Sequence, residues 1–365
     1  MRNRIHHGVT ETRRVGHSPR ERRGDHGAPS SGSPRLRATV VGLPSSPRPV
    51  ILNIEPADYS PQARAILQSA GELREKALSR AALLRNLADV EVLITRLAHR
   101  IDESLLAAAP RLRFVVTATT GLDHIDITAA RRRGVQVLSL KGETRFLRSI
   151  AATAEHTWGL LLALVRHIPA ASADVRAGRW NRDAFIGNEL RGKRLGIMGV
   201  GRIGEKIARY GLAFGMKVSG YDPLRRRLPR GVARCPSLDD LLRRSDILTL
   251  HVPLEPGTTA MIDAAALARL PPGAMLINTA RGAVVDEAAL LAALQSGQLA
   301  GAALDVVCDE QGIAAGRLHP LLRAARRHPS LLITPHIGGC TVESRARTEI
   351  FMARKLMRVL RRPQP

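Results

Sequence analysis

A chain of 365 residues, 44% hydrophobic and only 3% aromatic, holds material for two domains whose cores rest on Leu, Val, Ile and Ala. No apolar run reaches bilayer length: the best candidate, 157–165, is short and preceded by Glu155 and His156, and the N-terminus lacks the apolar stretch of a secretory signal. The formal net charge of +24 is nearly all arginine, with six lysines and few aromatics to stack on bases, which argues against a nucleic-acid surface and for steering of small anions.

Residues 1–49 are rich in Arg, Gly, Ser, Pro and His and have no apolar period, a composition that cannot bury enough surface to order itself. Three readings compete: a disordered basic tail, a targeting segment, or sequence upstream of the true start. The first and third fit better, because no amphipathic helix is evident. Order is expected from a strand at 49–54. Helices at 62–69 and 80–87 follow, then a strand at 90–94, a helix at 103–108, a strand at 114–116, a helix at 127–133 stopped by Gly134, and a strand at 135–138. Strands and helices alternating at this length argue a parallel sheet covered on both faces. A long helix, apolar nearly all round, is expected over 152–168, closed by Pro169 and buried between domains or subunits.

The most specific signal comes next. A short apolar strand at 194–198 runs into Gly199, Gly201 and Gly204. A helix pattern leaves at 205–214, and a second strand at 217–221 ends at Asp222, 18 residues beyond Gly204. In that context the three glycines serve a tight turn, close approach to a pyrophosphate, and close helix–strand packing. The helix N-terminus faces the phosphates, and Asp222 can bond the two hydroxyls of an adenine ribose. Asp222 would repel a 2′-phosphate, which favours NAD. Arg225, Arg226 and Arg227 follow closely and could pair with one, so NADP stays open as the less favoured cofactor.

Later strands are expected at 247–250, 275–277, 302–304 and 331–333, with a helix at 287–294 and a last helix at 342–360. Three polar residues follow these strands: Arg281, Glu310 and His336. In a doubly wound sheet the C-terminal strand ends converge on one crevice, so the three are delivered to the edge where a nicotinamide would lie. Hydride leaving a secondary alcohol must be matched by a proton leaving its hydroxyl. A His can accept that proton, a neighbouring carboxylate fixes its tautomer, and an Arg can hold a carboxylate by two parallel bonds. The substrate implied is a 2-hydroxy acid or its 2-keto partner. His124, His156 and His251 are expected in structural roles, with His251 bordering the cofactor. Trp158 and Trp180 are expected to pack. Cys235, Cys308 and Cys340 show no metal or disulfide spacing, so no metal is expected and a reducing cytoplasm is the expected compartment.

With these segments in view, together with His251 to Leu254, Asn278 to Gly282, Gly301 to Val306 and Thr334 to Gly339, the chain over roughly 50–360 resembles the D-isomer-specific 2-hydroxyacid dehydrogenases, the group that includes D-3-phosphoglycerate dehydrogenase, without an appended regulatory domain. The resemblance implies two Rossmann-like α/β domains, each a doubly wound parallel sheet, with the active site in the cleft between them. A substrate domain would span 50–148 and be completed by 337–365; an NAD-binding domain would span 149–336. It implies His336 as acid/base, Glu310 as its partner and Arg281 as substrate anchor. Asp305 would contact the nicotinamide carboxamide, Arg202 and Ile203 the pyrophosphate, and Val252, Pro253, Thr279 and Ala280 other parts of the cofactor. Thr120 and Gly121 would bind substrate, and the chain would form a homodimer. Three departures stand out. Thr119 replaces a frequent Gly, and Gln311 replaces the usual Pro. The segment 141–149 looks long, with Lys141, Arg145 and Arg148 either reading a second anionic group such as a phosphate or standing exposed. A binding protein of the same fold, sensing NAD(H) as the family's transcriptional corepressors do, is the alternative to an enzyme.

Overall fold

The computed structural model describes residues 48–361, so the expected tail at 1–49 lies, but for its last two residues, outside the described residues. Among the described residues the strands form two all-parallel sheets. The first holds β1 (Val50–Asn53), β2 (Glu72–Glu75), β3 (Val92–Thr95), β4 (Phe114–Thr117) and β5 (Gln136–Leu138) in the order β2-β1-β3-β4-β5. Each crossover carries a helix: Pro61–Ala70, Arg80–Arg85, Glu103–Ala107 and Ile127–Arg132. Because helices cover both faces, β3 and β4 are buried at every position, which is why they read as apolar runs without alternation. Leu52, Leu83, Leu93 and Leu105 fill one face. Ile51, Leu67 and Phe114 fill the other, together with Met352, Ala353 and Leu356 of the helix Val342–Leu360, which returns to pack on the helix Pro61–Ala70.

The second sheet holds β6 (Arg194–Met198), β7 (Lys217–Tyr221), β8 (Ala233–Arg234), β9 (Ile247–Leu250), β10 (Ala274–Asn278), β11 (Leu299–Leu304) and β12 (Leu331–Ile333), in the order β12-β11-β10-β9-β6-β7-β8. Each sheet reverses its direction of growth once, the first between β1 and β3, the second between β6 and β9. At such a point the loops leaving two neighbouring strands part company, and a crevice opens at the carboxyl edge.

Four features differ from the sequence expectations. The helix expected over 152–168 stops at Val165. His167 takes a left-handed φ of 52°, and a second helix, Ile168–Arg176, begins there. Pro169 therefore opens a helix; in a first turn its missing N–H costs nothing, whereas in an interior it would. Strands β2 and β8 were not expected. Glu72 to Glu75 carry no apolar alternation. They form an edge held by backbone pairing with β1, while Arg74 reaches Asp89 (2.7 Å) and Glu75 holds Arg64 (2.6 Å). Trp180 does not pack: it is 88% exposed, unlike Trp158, which is buried edge-on against Tyr210 and Phe214.

Candidate active site

The crevice of the second sheet is built by the glycine loop after β6 and the loop after β9. Gly199 has a φ of +85°, and a Cβ there would lie 2.8 Å from the His251 carbonyl oxygen and 2.9 Å from the Val252 side chain. A Cβ on Gly204 would lie 2.3 Å from the Gly199 carbonyl, so only glycine lets the helix approach its own strand. Gly201 differs from both: it caps the helix Arg202–Ala213 with no side-chain bond, and open space lies where its Cβ would be. Free N–H groups at an uncapped helix start, facing open space, fit a pyrophosphate. Arg202 fits it too. The burial around its guanidinium works against its charge, yet its one hydrogen bond among the described residues is a long one to the Leu147 carbonyl, 3.5 Å. Asp222 accepts the N–H groups of Val200 and Leu224, both at 3.0 Å, which leaves lone pairs for ribose hydroxyls. Glu205 pairs with Arg225, so the first of the three arginines behind Asp222 is already neutralised.

Arg281, Glu310 and His336 leave β10, β11 and β12, which are adjacent in the sheet, and all three line one cleft of about 490 Å³. The loop at Thr334 to His336 doubles back: the His336 N–H donates to the Asp305 carbonyl (2.8 Å), and the residue is held at a left-handed φ of 53°. Such a conformation costs free energy in a non-glycine residue and persists where the surroundings over-determine it. His336 Nδ1 lies 2.7 Å from Glu310 Oε2. With the proton on Nδ1 donated to that carboxylate, Nε2 is the free acceptor. Arg281 Nε donates to Asp123 (2.5 Å) and Nη1 to the Ala280 carbonyl (2.6 Å), which aims Nη2 at Gly121; a Cβ there would sit 1.5 Å from it. Asn278 bonds the Arg281 carbonyl and the Ala280 N–H, fixing the turn that carries the guanidinium.

The cleft also gathers Thr120, Gly121, Arg202, Ile203, Thr279 and Asp305. Gly199, Gly204, Asp222, His251 and Val252 build the neighbouring switch point; Pro253 is exposed beside it and Ala280 is buried. The Thr279 hydroxyl shares a hydrogen bond with that of Thr157, 2.8 Å away. The Asp305 carboxylate is enclosed. Burial pushes it up, but His156, Thr334 and the N–H groups of Ile337 and Gly338 outweigh this and hold it below the usual carboxylate range. His156 thus braces the helix Ala152–Val165 against the loop that carries His336. Of the segment 141–149, only Leu147 lines the cleft; Lys141, Arg145 and Arg148 are exposed and stand outside its lining. Burial and Glu287 push the Cys308 thiol up to about 12.

Two histidines are held neutral. Burial brings His124 down to about 4 and His251 to about 3, and one ring nitrogen of each has no partner among the described residues. For His124 the folded value lies below the ordinary one. Its contribution to stability is therefore complete above about pH 6.5 and is lost as the pH falls from 6.5 through 4, where the unfolded chain takes the proton first. We expect the melting temperature to fall across that window, and His124→Leu to remove part of the fall, of order 3 kcal/mol in stability. Melting curves at pH 7, 5.5 and 4 for both proteins check this; parallel curves would discount His124.

Sequence reasoning gave no role to Asp123 and missed Glu55, Arg96 and Glu349, which meet at the switch point of the first sheet. Glu55, just after β1, accepts N–H groups from Arg96 (2.5 Å), Leu97 (3.3 Å) and Ala98 (3.3 Å), and the Thr95 hydroxyl (3.0 Å). Glu349, 1% exposed, pairs with Arg96 and accepts the Ser60 N–H at 2.7 Å. The available signal was an acid on the apolar stripe of a helix, in step with Met352, Ala353 and Leu356.

Comparison with known proteins adds an independent line. The family model described as "D-isomer specific 2-hydroxyacid dehydrogenase, NAD binding domain" matches residues 158–338. The D-3-phosphoglycerate dehydrogenase of Rattus norvegicus is 41% identical over 292 residues, 79% of this chain and 52% of that protein. The chain thus spans about half the length of the curated relatives it matches. Among solved structures, the D-lactate dehydrogenase of Aquifex aeolicus complexed with NAD and lactic acid superposes with a TM-score of 0.74 at 31% identity, covering 84% of this chain and 94% of that one. A glyoxylate reductase from Paecilomyes thermophila gives 0.73 at 28%, with 87% and 97% covered.

Proposed function

Because the chain belongs to the D-isomer-specific 2-hydroxyacid dehydrogenase family, we propose that it is an oxidoreductase that interconverts a D-2-hydroxy acid and its 2-keto acid with NAD. The observation that carries this reading is the 2.7 Å contact between His336 and Glu310 beside the Arg281 guanidinium, in a cleft that adjoins the uncapped helix of the glycine loop. NAD, when bound, supplies the hydride acceptor, and NADH the donor. Arg281 holds the substrate carboxylate against the loop at Thr120 and Gly121 with the N–H groups that Asp123 and Ala280 leave free. His336 Nε2 takes the hydroxyl proton as the C2–H bond breaks, and returns it when a keto acid is reduced. Glu310 keeps the ring oriented and balances the positive charge it gains. Asp305 fixes the His336 loop and lies at the nicotinamide end of the crevice.

The same reading assigns residues 50–148 with 337–365 to the substrate side and 149–336 to the cofactor side. It places a second copy of the chain over the exposed apolar residues Ile168, Val175, Trp180 and Ile186. Three free cysteines suit a reducing cytoplasm, and among the described residues no helix is long and apolar enough to cross a membrane. The sensing alternative rested on the basic surface and on the basic tail at 1–49, which lies, but for its last two residues, outside the described residues.

Absorbance at 340 nm with a panel of 2-keto acids, NADH and NADPH side by side, tests the reading. Turnover with NADH is expected; none with any acid in the panel, despite NADH binding, overturns it. In the same assay Asp222→Asn should keep NADH turnover while the preference for NADH over NADPH falls about tenfold or more, since a carboxylate facing a 2′-phosphate is a like-charge contact.

A further inference from the structure

The switch point of the first sheet is where an open parallel sheet of order β2-β1-β3-β4-β5 offers a ligand crevice. The loop after β3 lines the same cleft as Arg281 and His336, on the substrate side. Its backbone N–H groups at Arg96, Leu97 and Ala98 point at one spot, the arrangement that usually cradles a phosphate or carboxylate. In this chain the spot is filled from within by the Glu55 carboxylate. The cation beside it is filled as well: Arg96 pairs with the buried Glu349 and lies 5.6 Å from the centre of the Tyr59 ring. Arg345, on the same helix as Glu349, donates to the Ala57 carbonyl (2.9 Å) and stands 3.8 Å from Asp58. Every cation and every converging N–H at this end of the cleft therefore has an anionic or carbonyl partner belonging to the chain.

We propose that this end is a subsite without a free cation for the substrate's tail, so that the chain takes 2-hydroxy and 2-keto acids with an uncharged tail and rejects those whose tail carries a phosphate. A phosphate would have to displace Glu55 from its N–H groups or draw Arg96 off a carboxylate that is 1% exposed. The abandoned carboxylate would then face it across a low-dielectric gap. Leu97, Ala98 and Ala314 supply apolar walls, and the Gln311 side chain donates to the Leu97 carbonyl (3.3 Å), tying the loop to the helix that begins at Glu310. The proposal rests on the preceding functional reading and narrows it away from the phosphorylated substrate in the name of its mammalian relatives.

Hydroxypyruvate and 3-phosphohydroxypyruvate, reduced with NADH, are the probes, because they differ only in the phosphate. Wild type is expected to favour hydroxypyruvate in kcat/KM by at least tenfold, about 1.4 kcal/mol. Glu349→Gln, which releases Arg96, and Glu55→Gln, which removes the charge from the N–H cradle, should each move the ratio at least tenfold toward the phosphorylated acid. The second variant serves if the first does not fold. A wild-type preference for the phosphorylated acid overturns the proposal, as do two folded variants with an unchanged ratio. Calorimetry on the NAD-loaded protein with D-glycerate and 3-phospho-D-glycerate separates this outcome from failure of the enzyme reading. Tighter binding of D-glycerate without turnover of either keto acid sinks the enzyme reading and supports the subsite. Tighter binding of the phosphorylated acid, or of neither, overturns the subsite.

Discussion

His336→Asn is expected to lower kcat by about 10²–10⁴-fold while leaving the affinity for NADH within about twofold of wild type. The range is what a positioned acid/base contributes when proton transfer accompanies the chemical step. Asparagine is the informative replacement, because position 336 is held at a φ of 53° and Asn tolerates that region better than most residues. The loop, with its bonds to Asp305, should therefore survive. Glu310→Gln should also cost about 10²-fold. An amide that donates to Nδ1 selects the tautomer with its proton on Nε2, where the substrate's proton must go. The two losses should not add in the double variant, since each disables the same unit. Retention of more than a tenth of wild-type kcat by His336→Asn would assign the acid/base role elsewhere.

Among the described glycines, Gly282→Ala should be the most damaging. The new carbon would lie 2.1 Å from the Val307 carbonyl carbon, 2.4 Å from its oxygen and 2.5 Å from the Cys308 N, all backbone atoms that no rotamer change can move aside. Gly282 follows Arg281, and Val307 leads to Glu310, so the clash is relieved only by separating the two loops that bring anchor and His partner together. Overpacking of this kind costs about 1–3 kcal/mol, and the upper end is expected here. A displacement of ~1 Å in catalytic geometry costs about 10²-fold in rate. Melting temperature and kcat/KM should fall together. Gly159→Ala, in a helix with nothing within 4 Å of the new carbon, is the control and should stabilise by about 0.5–1 kcal/mol. A folded Gly282→Ala with wild-type kcat/KM would show that the loops are not rigidly coupled.

The parts of this architecture readable from sequence are those encoded locally. Gly199, Gly201 and Gly204 announce a strand–turn–helix because the positive φ at Gly199 and the close approach of Gly204 to the Gly199 carbonyl are local demands, while Gly201 leaves the helix start open. Arg281, Glu310 and His336 could be gathered because parallel strands deliver their carboxyl ends to one edge. What escaped is set by distant partners. Glu55 reads as a loop acid until β3 is laid beside β1, and Arg96 reads as one of many arginines until Glu349, far along the chain, is packed under it. Strand β2 has no pattern of its own, since its pairing to β1 is backbone bonding joined by one side-chain bond, from Asn53 to Glu75. Pro169 was misread for another reason: proline marks a helix boundary but does not say on which side the helix lies.

The return of the helix Val342–Leu360 onto the first sheet makes the order of synthesis matter. Ser60 and Glu349 are 289 residues apart, and the whole second sheet is encoded between them. At about 5–20 residues per second, a ribosome needs roughly 10–40 s to travel from β5 to that helix. During this interval the face carrying Ile51, Phe114 and Val116 is finished as sequence but lacks its cover. The cofactor half, continuous in the chain, can close on its own meanwhile. The nascent protein therefore emerges in reverse order of completion, the half begun first being sealed last. It is this early, waiting sheet that a chaperone on the growing chain would meet.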